Sequence, residues 1–194
     1  MKKILRVFVR RTSYTPVEEE YVVIGGPGLF TPVVDEIHVS IVFTWDRTNA
    51  LILAQEYGMH CPQATIKLGG PGWGTKPKEF IAGVYVKRGI TITSRGCNFN
   101  CPWCLVPRLE GKFRELKGLE PGNNVQDNNI LFSSKQRLRK VFKMLRTQKA
   151  IRFSGGLDKR LLKSWHIEEL RSLRIAEIWL AFDSWDNGSI LAGV

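Results

Sequence analysis

Cysteine is scarce in this chain, with 4 in 194 residues, and the patterns that would turn those four into staples are missing. The Lys2-Lys3 start leads to Arg10-Arg11 and not to an apolar h-region, so the thiols read as reduced cytosolic groups rather than as a disulfide framework. A second C-x2-C pair at a distance, which structural zinc sites usually carry, is also lacking. No apolar run approaches the roughly 18 residues that a membrane span needs. These absences predict a soluble cytoplasmic protein without a membrane segment. There is neither a full G-x-G-x-x-G nor a P-loop, only Gly-Gly-Pro-Gly at positions 25–28 and again at 69–72. Each follows a short apolar run, Val22-Val23-Ile24 or Ile66-Lys67-Leu68, and reads as a tight turn, with a phosphate-facing loop as the alternative.

What is present is concentrated in one octet. Cys97-Asn98-Phe99-Asn100-Cys101-Pro102-Trp103-Cys104 sets three thiols in a C-x3-C-x2-C spacing. Three thiolates on one short loop are able to share a single metal centre, and such soft donors suit an iron–sulfur cluster or zinc. Because the run supplies three ligands and not four, a cluster held here keeps one iron without a protein ligand, as substrate-binding chemistry requires. The competing reading is a zinc knuckle that takes Cys61 or a histidine as its fourth ligand. An electron-transfer cluster is the third reading, and the open iron suits that purpose poorly.

With the preceding Thr91-Ile92-Thr93-Ser94-Arg95-Gly96, and with Trp103 just before the last cysteine, the octet resembles the cluster motif of the radical S-adenosylmethionine (radical SAM) superfamily. The resemblance implies that Cys97, Cys101 and Cys104 bind a [4Fe-4S] cluster and that Trp103 lies near the adenine of S-adenosylmethionine. It implies reductive cleavage of that cofactor to a 5′-deoxyadenosyl radical, hydrogen abstraction from a substrate, and a reductant such as flavodoxin or ferredoxin. The protein's share of such chemistry is binding, orientation and exclusion of side reactions. Residues 104–111, Cys-Leu-Val-Pro-Arg-Leu-Glu-Gly, further resemble the methylthiotransferase branch. Arg108 and Lys112 then face the cofactor carboxylate or an anionic substrate, or else are solvated loop charges.

Around the octet, the second half alternates strands with helices in the manner of parallel βα units. Strands are expected at 89–94, 124–127, 150–154 and 178–182, and helices at 134–147, with Ser133 or Ser134 as N-cap, and at 158–173. In such folds the site forms just beyond the C-terminal strand ends. That rule selects the cysteine loop, Asp127-Asn128-Asn129, Ser154-Gly155-Gly156 with Asp158, and Asp183. In radical SAM barrels the end of the second strand contacts the amino group of the cofactor, often through Gly-Gly-Glu. Asp127-Asn128-Asn129 occupies that place, and the glycine pair of Ser154-Gly155-Gly156 comes one strand later, so either segment fills the role. Both also read as plain turns, with Asp158 as a helix cap and Asp183 as a structural strand-end residue. About six βα units normally enclose such a site, against the four expected here. The expected fold is therefore α/β, with an incomplete parallel βα barrel over residues 86–194, open or belonging to a truncated product. The substrate is not legible.

Residues 1–85 read differently. Strands at 39–43 and 64–68 flank a helix at 48–57 and sketch a small Rossmann-like βαβ unit. This region resembles the cobalamin-binding domain that precedes many radical SAM barrels. Domains that ligate cobalt from below carry Asp-x-His-x-x-Gly, whereas His38 lies in Asp35-Glu36-Ile37-His38-Val39-Ser40 and departs from it, so cobalamin is not assigned. His38, His60 and His166 read as ordinary polar or half-buried residues and Cys61 as a small, partly buried thiol.

Acidic residues are the minority charge, 18 Asp plus Glu against 29 Lys plus Arg, for a formal net charge of +11. That balance admits a nucleic-acid partner through general attraction. Much of it falls on the helix at 134–147, where Lys135, Arg137, Arg139, Lys140, Lys143 and Arg146 surround a stripe of Leu138, Val141, Phe142 and Leu145. A solvated helix face is the first reading of this pattern, and an RNA-binding face the second. The alternative function is accordingly a zinc-binding nucleic-acid module, with the cysteines supplying fold and the cations affinity.

Overall fold

The computed structural model describes residues 2–75 and 80–181, so Asp183 lies outside the described residues. The chain divides between Arg88 and Gly89 into two compact units, each an α/β arrangement built on a parallel sheet. Among the described residues no helix is long and apolar enough to cross a membrane.

In the first unit, β1 (Ile4–Phe8), β2 (Val22–Ile24), β3 (Glu36–Ser40) and β4 (Thr65–Gly69) form one sheet in the order β2-β1-β3-β4, and all pairs are parallel. Helix α1 (Arg47–His60) crosses between β3 and β4. Alternation decides which face it covers: Leu5, Val7, Ile37 and Val39 point to one side and are buried with Ala50, Leu53 and Tyr57 of α1. The expected strand at 39–43 lies three residues earlier, at 36–40. Past Ser40 the Ile41 N–H donates to the Gly69 carbonyl at 2.8 Å, and the chain then tightens into a 3-10 turn, Thr44–Asp46. Strand β1 is an element that the sequence reading does not include, and in it Arg6 interrupts the apolar run while Leu5 and Val7 alternate inward.

The opposite face is polar. Register places Arg6 beside His38 and His38 beside Lys67. Glu36, whose side chain is only 7% exposed, accepts from Lys2 Nζ at 2.7 Å, Lys67 Nζ at 2.6 Å and His38 Nε2 at 2.9 Å. His38 Nδ1 meets the Tyr85 hydroxyl at 2.5 Å. The hydrogen bonds from Lys2, Lys67 and His38, in that order, hold the Glu36 carboxyl at about 2. A carboxyl depressed in this way stabilises the fold fully above its ordinary value of 4.5, and the contribution is lost as pH falls through that value towards about 2. Urea midpoints of the wild type and of Glu36→Gln should therefore differ most near neutral pH and converge at the acid end of that window. A gap that does not narrow would contradict the assignment.

The second unit carries β5 (Gly89–Thr91), β6 (Ser94–Arg95), α2 (Val106–Leu109), β7 (Arg114–Glu115), β8 (Gly122–Val125), α3 (Lys135–Leu145), β9 (Ile151–Asp158), α4 (Ser164–Arg171) and β10 (Ile175–Ala181). Strands β5, β8, β9 and β10 make a parallel sheet in chain order, while β6 and β7 form a separate antiparallel pair. The four-stranded sheet is open, and among the described residues no barrel closes. Helix α3 forms as the apolar spacing requires: Ser134 caps it by accepting from the Arg137 N–H at 3.2 Å, and Leu138, Val141, Phe142 and Leu145 are buried against Ile151, Phe153 and Leu157 of β9. Lys135, Arg139, Lys140, Lys143 and Arg146 are exposed.

The single helix expected at 158–173 is broken. Strand β9 runs through the glycine pair to Asp158, a 3-10 turn follows at Lys159–Leu161, and α4 begins only at Ser164. The break has a local cause: the Asp158 carboxylate accepts from the Arg160 N–H at 3.0 Å and caps the short turn, after which Leu162 is extended.

Candidate functional site

The cysteine loop leaves the carboxyl end of β5 through a narrow neck. Strands β6 and β7 pair Ser94 with Glu115 and Arg95 with Arg114, and the Leu116 N–H donates to the Thr93 carbonyl at 2.9 Å. Inside the neck, the Cys97 N–H donates to the Gly111 carbonyl at 3.2 Å. Gly96 sits at φ +76°, and a Cβ there would lie 2.3 Å from the Lys112 carbonyl oxygen, so only glycine fits. Its N–H donates to Asn128 Oδ1 at 3.0 Å and to Glu110 Oε2 at 3.2 Å. Glu110 also pairs with Arg95 at 3.2 Å, both side chains being less than a fifth exposed.

Asp127 braces the base of this neck. It is 1% exposed, and its carboxylate accepts from the Thr93 N–H at 3.0 Å, the Thr93 hydroxyl at 3.0 Å and the Ser94 hydroxyl at 2.5 Å. Burial pushes this carboxyl up, against the hydrogen bonds from Ser94 and Thr93 that favour the charged form. The side chains of Asp127 and Asn128 thus both point into the base of the loop. Asn129 is buried as well, and its Oδ1, like the Thr91 hydroxyl at the end of the neighbouring β5, makes no hydrogen bond among the described residues. Two adjacent strand ends therefore retain unused polar capacity.

Ser154, Gly155 and Gly156 form a bulge in β9. The register with β10 steps from Phe153 opposite Ile178 to Leu157 opposite Leu180, which leaves the intervening β9 residues out of step. Gly156 has φ +84°, and a Cβ on Gly155 would stand 2.0 Å from the Asp127 carbonyl oxygen. The two segments selected from the sequence, 127–129 and 154–156, are thus in backbone contact.

The three thiols of the loop are free and half-buried. The Cys104 N–H donates to the Cys101 carbonyl at 3.0 Å, which folds these two cysteines into one turn. Burial pushes the Cys97 thiol up, the Phe99 N–H opposes this, and the charges of Cys104, Cys101 and Asp158 push it further. No set of three Cys, His, Asp or Glu side chains is gathered into a metal-holding arrangement among the described residues. The donor chemistry of the loop, three thiols with two of them in one turn, fits a thiophilic centre. Trp103 is 68% exposed beside them.

Cys61 is buried in the core of the first unit, and His166 is buried with Nδ1 accepting from the Lys163 N–H at 3.0 Å. Both ring nitrogens of His38 are engaged, by Glu36 and Tyr85. Arg108 and Lys112 lie on the loop itself, Arg108 at the end of α2. Spacing and strand-end position did not single out Glu110, Phe99 or Arg160. Arg160 binds Asp158 through Nε at 2.8 Å and Nη2 at 2.5 Å, stacks on the Phe99 ring at 3.8 Å, and approaches Cys101 Sγ at 3.9 Å. Burial alone would push the Asp158 carboxyl up, yet the hydrogen bonds and charge of Arg160, with Lys159, hold it below the ordinary value. No periodicity could have placed Arg160 here, because its position depends on the strand running on to Asp158.

No protein-family model matches the chain, no curated protein matches it, and no solved structure matches it.

The contact between Gly155 and Asp127 yields a direct expectation. Gly155→Ala forces β8 and β9 apart at the brace and should destabilise the second unit by on the order of 3 kcal/mol, the usual scale for overpacking without room to relax. Chemical denaturation monitored by tryptophan fluorescence measures it, and an unchanged midpoint would refute the close approach.

Proposed function

We propose that the second unit binds a [4Fe-4S] cluster and S-adenosylmethionine in the manner of the radical SAM superfamily and abstracts hydrogen from a substrate. One observation carries this reading: the C-x3-C-x2-C thiols are half-buried on a loop that leaves the carboxyl end of the first strand of an all-parallel sheet. In this reading the sheet of β5, β8, β9 and β10 is the cofactor-binding part of an incomplete βα barrel.

Cys97, Cys101 and Cys104 would hold the cluster as thiolates. A cluster bound there supplies an iron open to the amino and carboxylate groups of S-adenosylmethionine and the electron for its cleavage to a 5′-deoxyadenosyl radical. The chain's own residues then have distinct roles. The exposed Trp103 ring flanks the adenine. Asp127 and Asn128 hold the neck rather than meet the ligand, since their side-chain oxygens are taken by Thr93, Ser94 and Gly96. Asn129 and the backbone of the Ser154-Gly155-Gly156 bulge offer polar groups at the adjoining strand ends. A cytoplasmic flavodoxin or ferredoxin suits the exposed, positively charged α3 as a docking reductant.

Anaerobic reconstitution with iron and sulfide, followed by reduction in the presence of S-adenosylmethionine, tests the proposal. The expected outcome is visible charge-transfer absorption, about four irons per chain, and 5′-deoxyadenosine. Alanine at Cys97, Cys101 or Cys104 should abolish the absorption, and Cys61→Ala should retain it. Tightly bound zinc with no iron uptake would instead establish the zinc-binding nucleic-acid module, whose affinity for RNA or DNA should fall steeply with salt.

A further inference from the structure

The strand-end rule selected Asp158, but the structure gives that carboxylate a partner rather than a ligand. Asp158 fills the guanidinium fork of Arg160 through Nε at 2.8 Å and Nη2 at 2.5 Å. Nη2 carries two hydrogens, and the second points to Cys101 Sγ at 3.9 Å. The guanidinium carbon lies over the Phe99 ring, 3.8 Å from its centroid, so an aromatic of the cysteine loop holds it by a cation–π contact. Arg160 is also a wall of the cavity of about 240 Å³ that Phe99, Asn100, Cys101, Pro102 and Trp103 line. A fork already occupied by Asp158 is not free to clamp a substrate carboxylate. Among the groups it brings to the cavity are an N–H aimed at sulfur and a positive charge.

We propose that Arg160 is a positioning and tuning residue of the thiolate centre, donating an N–H···S hydrogen bond to Cys101 that raises the reduction potential of the bound cluster. The inference rests on the cluster reading given above. Reduction adds negative charge to the centre, so a nearby cation and a hydrogen bond to a ligand sulfur both favour the reduced form. Asp158 acts in the opposite sense, and its pairing with Arg160 keeps that carboxylate from facing the sulfurs alone. Phe99 and Asp158 together hold the guanidinium on two sides, which is the support that an outer-shell donor requires.

Redox titration of the reconstituted full chain, followed by electron paramagnetic resonance and with iron counted in each sample, tests this. Arg160→Met should retain iron and shift the midpoint to more negative potential, because the donor is gone and Asp158 is left uncompensated. Arg160→Lys, which keeps charge without the fork, should fall between the two. The double variant D158N/R160M should recover part of the shift, which a purely structural pin would not produce. A midpoint unmoved in Arg160→Met at full iron content would overturn the role of Arg160 and leave the cluster reading intact. Failure of the wild type to take up iron would overturn both.

Discussion

A single buried carboxylate organises the second unit. Asp127 lies at the end of β8, yet it spends all its described hydrogen bonds on the segment that follows β5, gathering the Thr93 N–H and the hydroxyls of Thr93 and Ser94. A charge-accepting group in so dry a place is tolerated because its donors are close and numerous. Its backbone meets Gly155 on the other side, so the first three strands of the sheet are tied at their carboxyl ends by one residue and one missing side chain. The direction in which the cysteine loop departs follows from this tie.

The elements most legible in the sequence were those with the clearest periodicity. Leu138, Val141, Phe142 and Leu145 at helical spacing placed α3, with its cap at Ser134, and the parallel α/β class followed from the alternation of elements. The octet sets three thiols on one loop, and the structure places that loop beyond the end of β5. Less legible was everything that depends on a contact distant in sequence. The glycine pair reads as a strand terminator, whereas the structure uses it as a bulge within β9, because Gly155 must lie against the Asp127 backbone. Strand β7 has only two residues, Arg114 and Glu115, and no pattern announces so short a ladder. Asp127 and Asn128 follow the end of β8, as the strand order implied, but the strand-end rule does not reveal that Thr93, Ser94 and Gly96 of a neighbouring loop bond their side-chain oxygens.

The first unit shows the same tension between local pattern and tertiary use. Its sheet has one apolar face under α1 and one face on which Arg6, His38 and Lys67 stand in register. Arg6 donates to the carbonyls of Gly83 and Val84 at 2.8 Å and 2.9 Å, so irregular chain covers part of this face where doubly wound folds place a second layer of helices. Polar cover of that kind explains why β1 escapes a search for continuous apolar strands. It also accounts for His38, whose two nitrogens bridge Glu36 and Tyr85 as part of the sheet's own wiring.

The neck formed by β6 and β7 has a consequence for chemical damage. Oxidation or alkylation at the thiols strikes a lobe with no member in the apolar packing of α3 on β9, tied at its base by Gly96 to Asn128 and through Phe99 to Phe132 and Arg160. Injury there bears first on those few contacts, and the buried leucines and phenylalanines behind them belong to a separate layer.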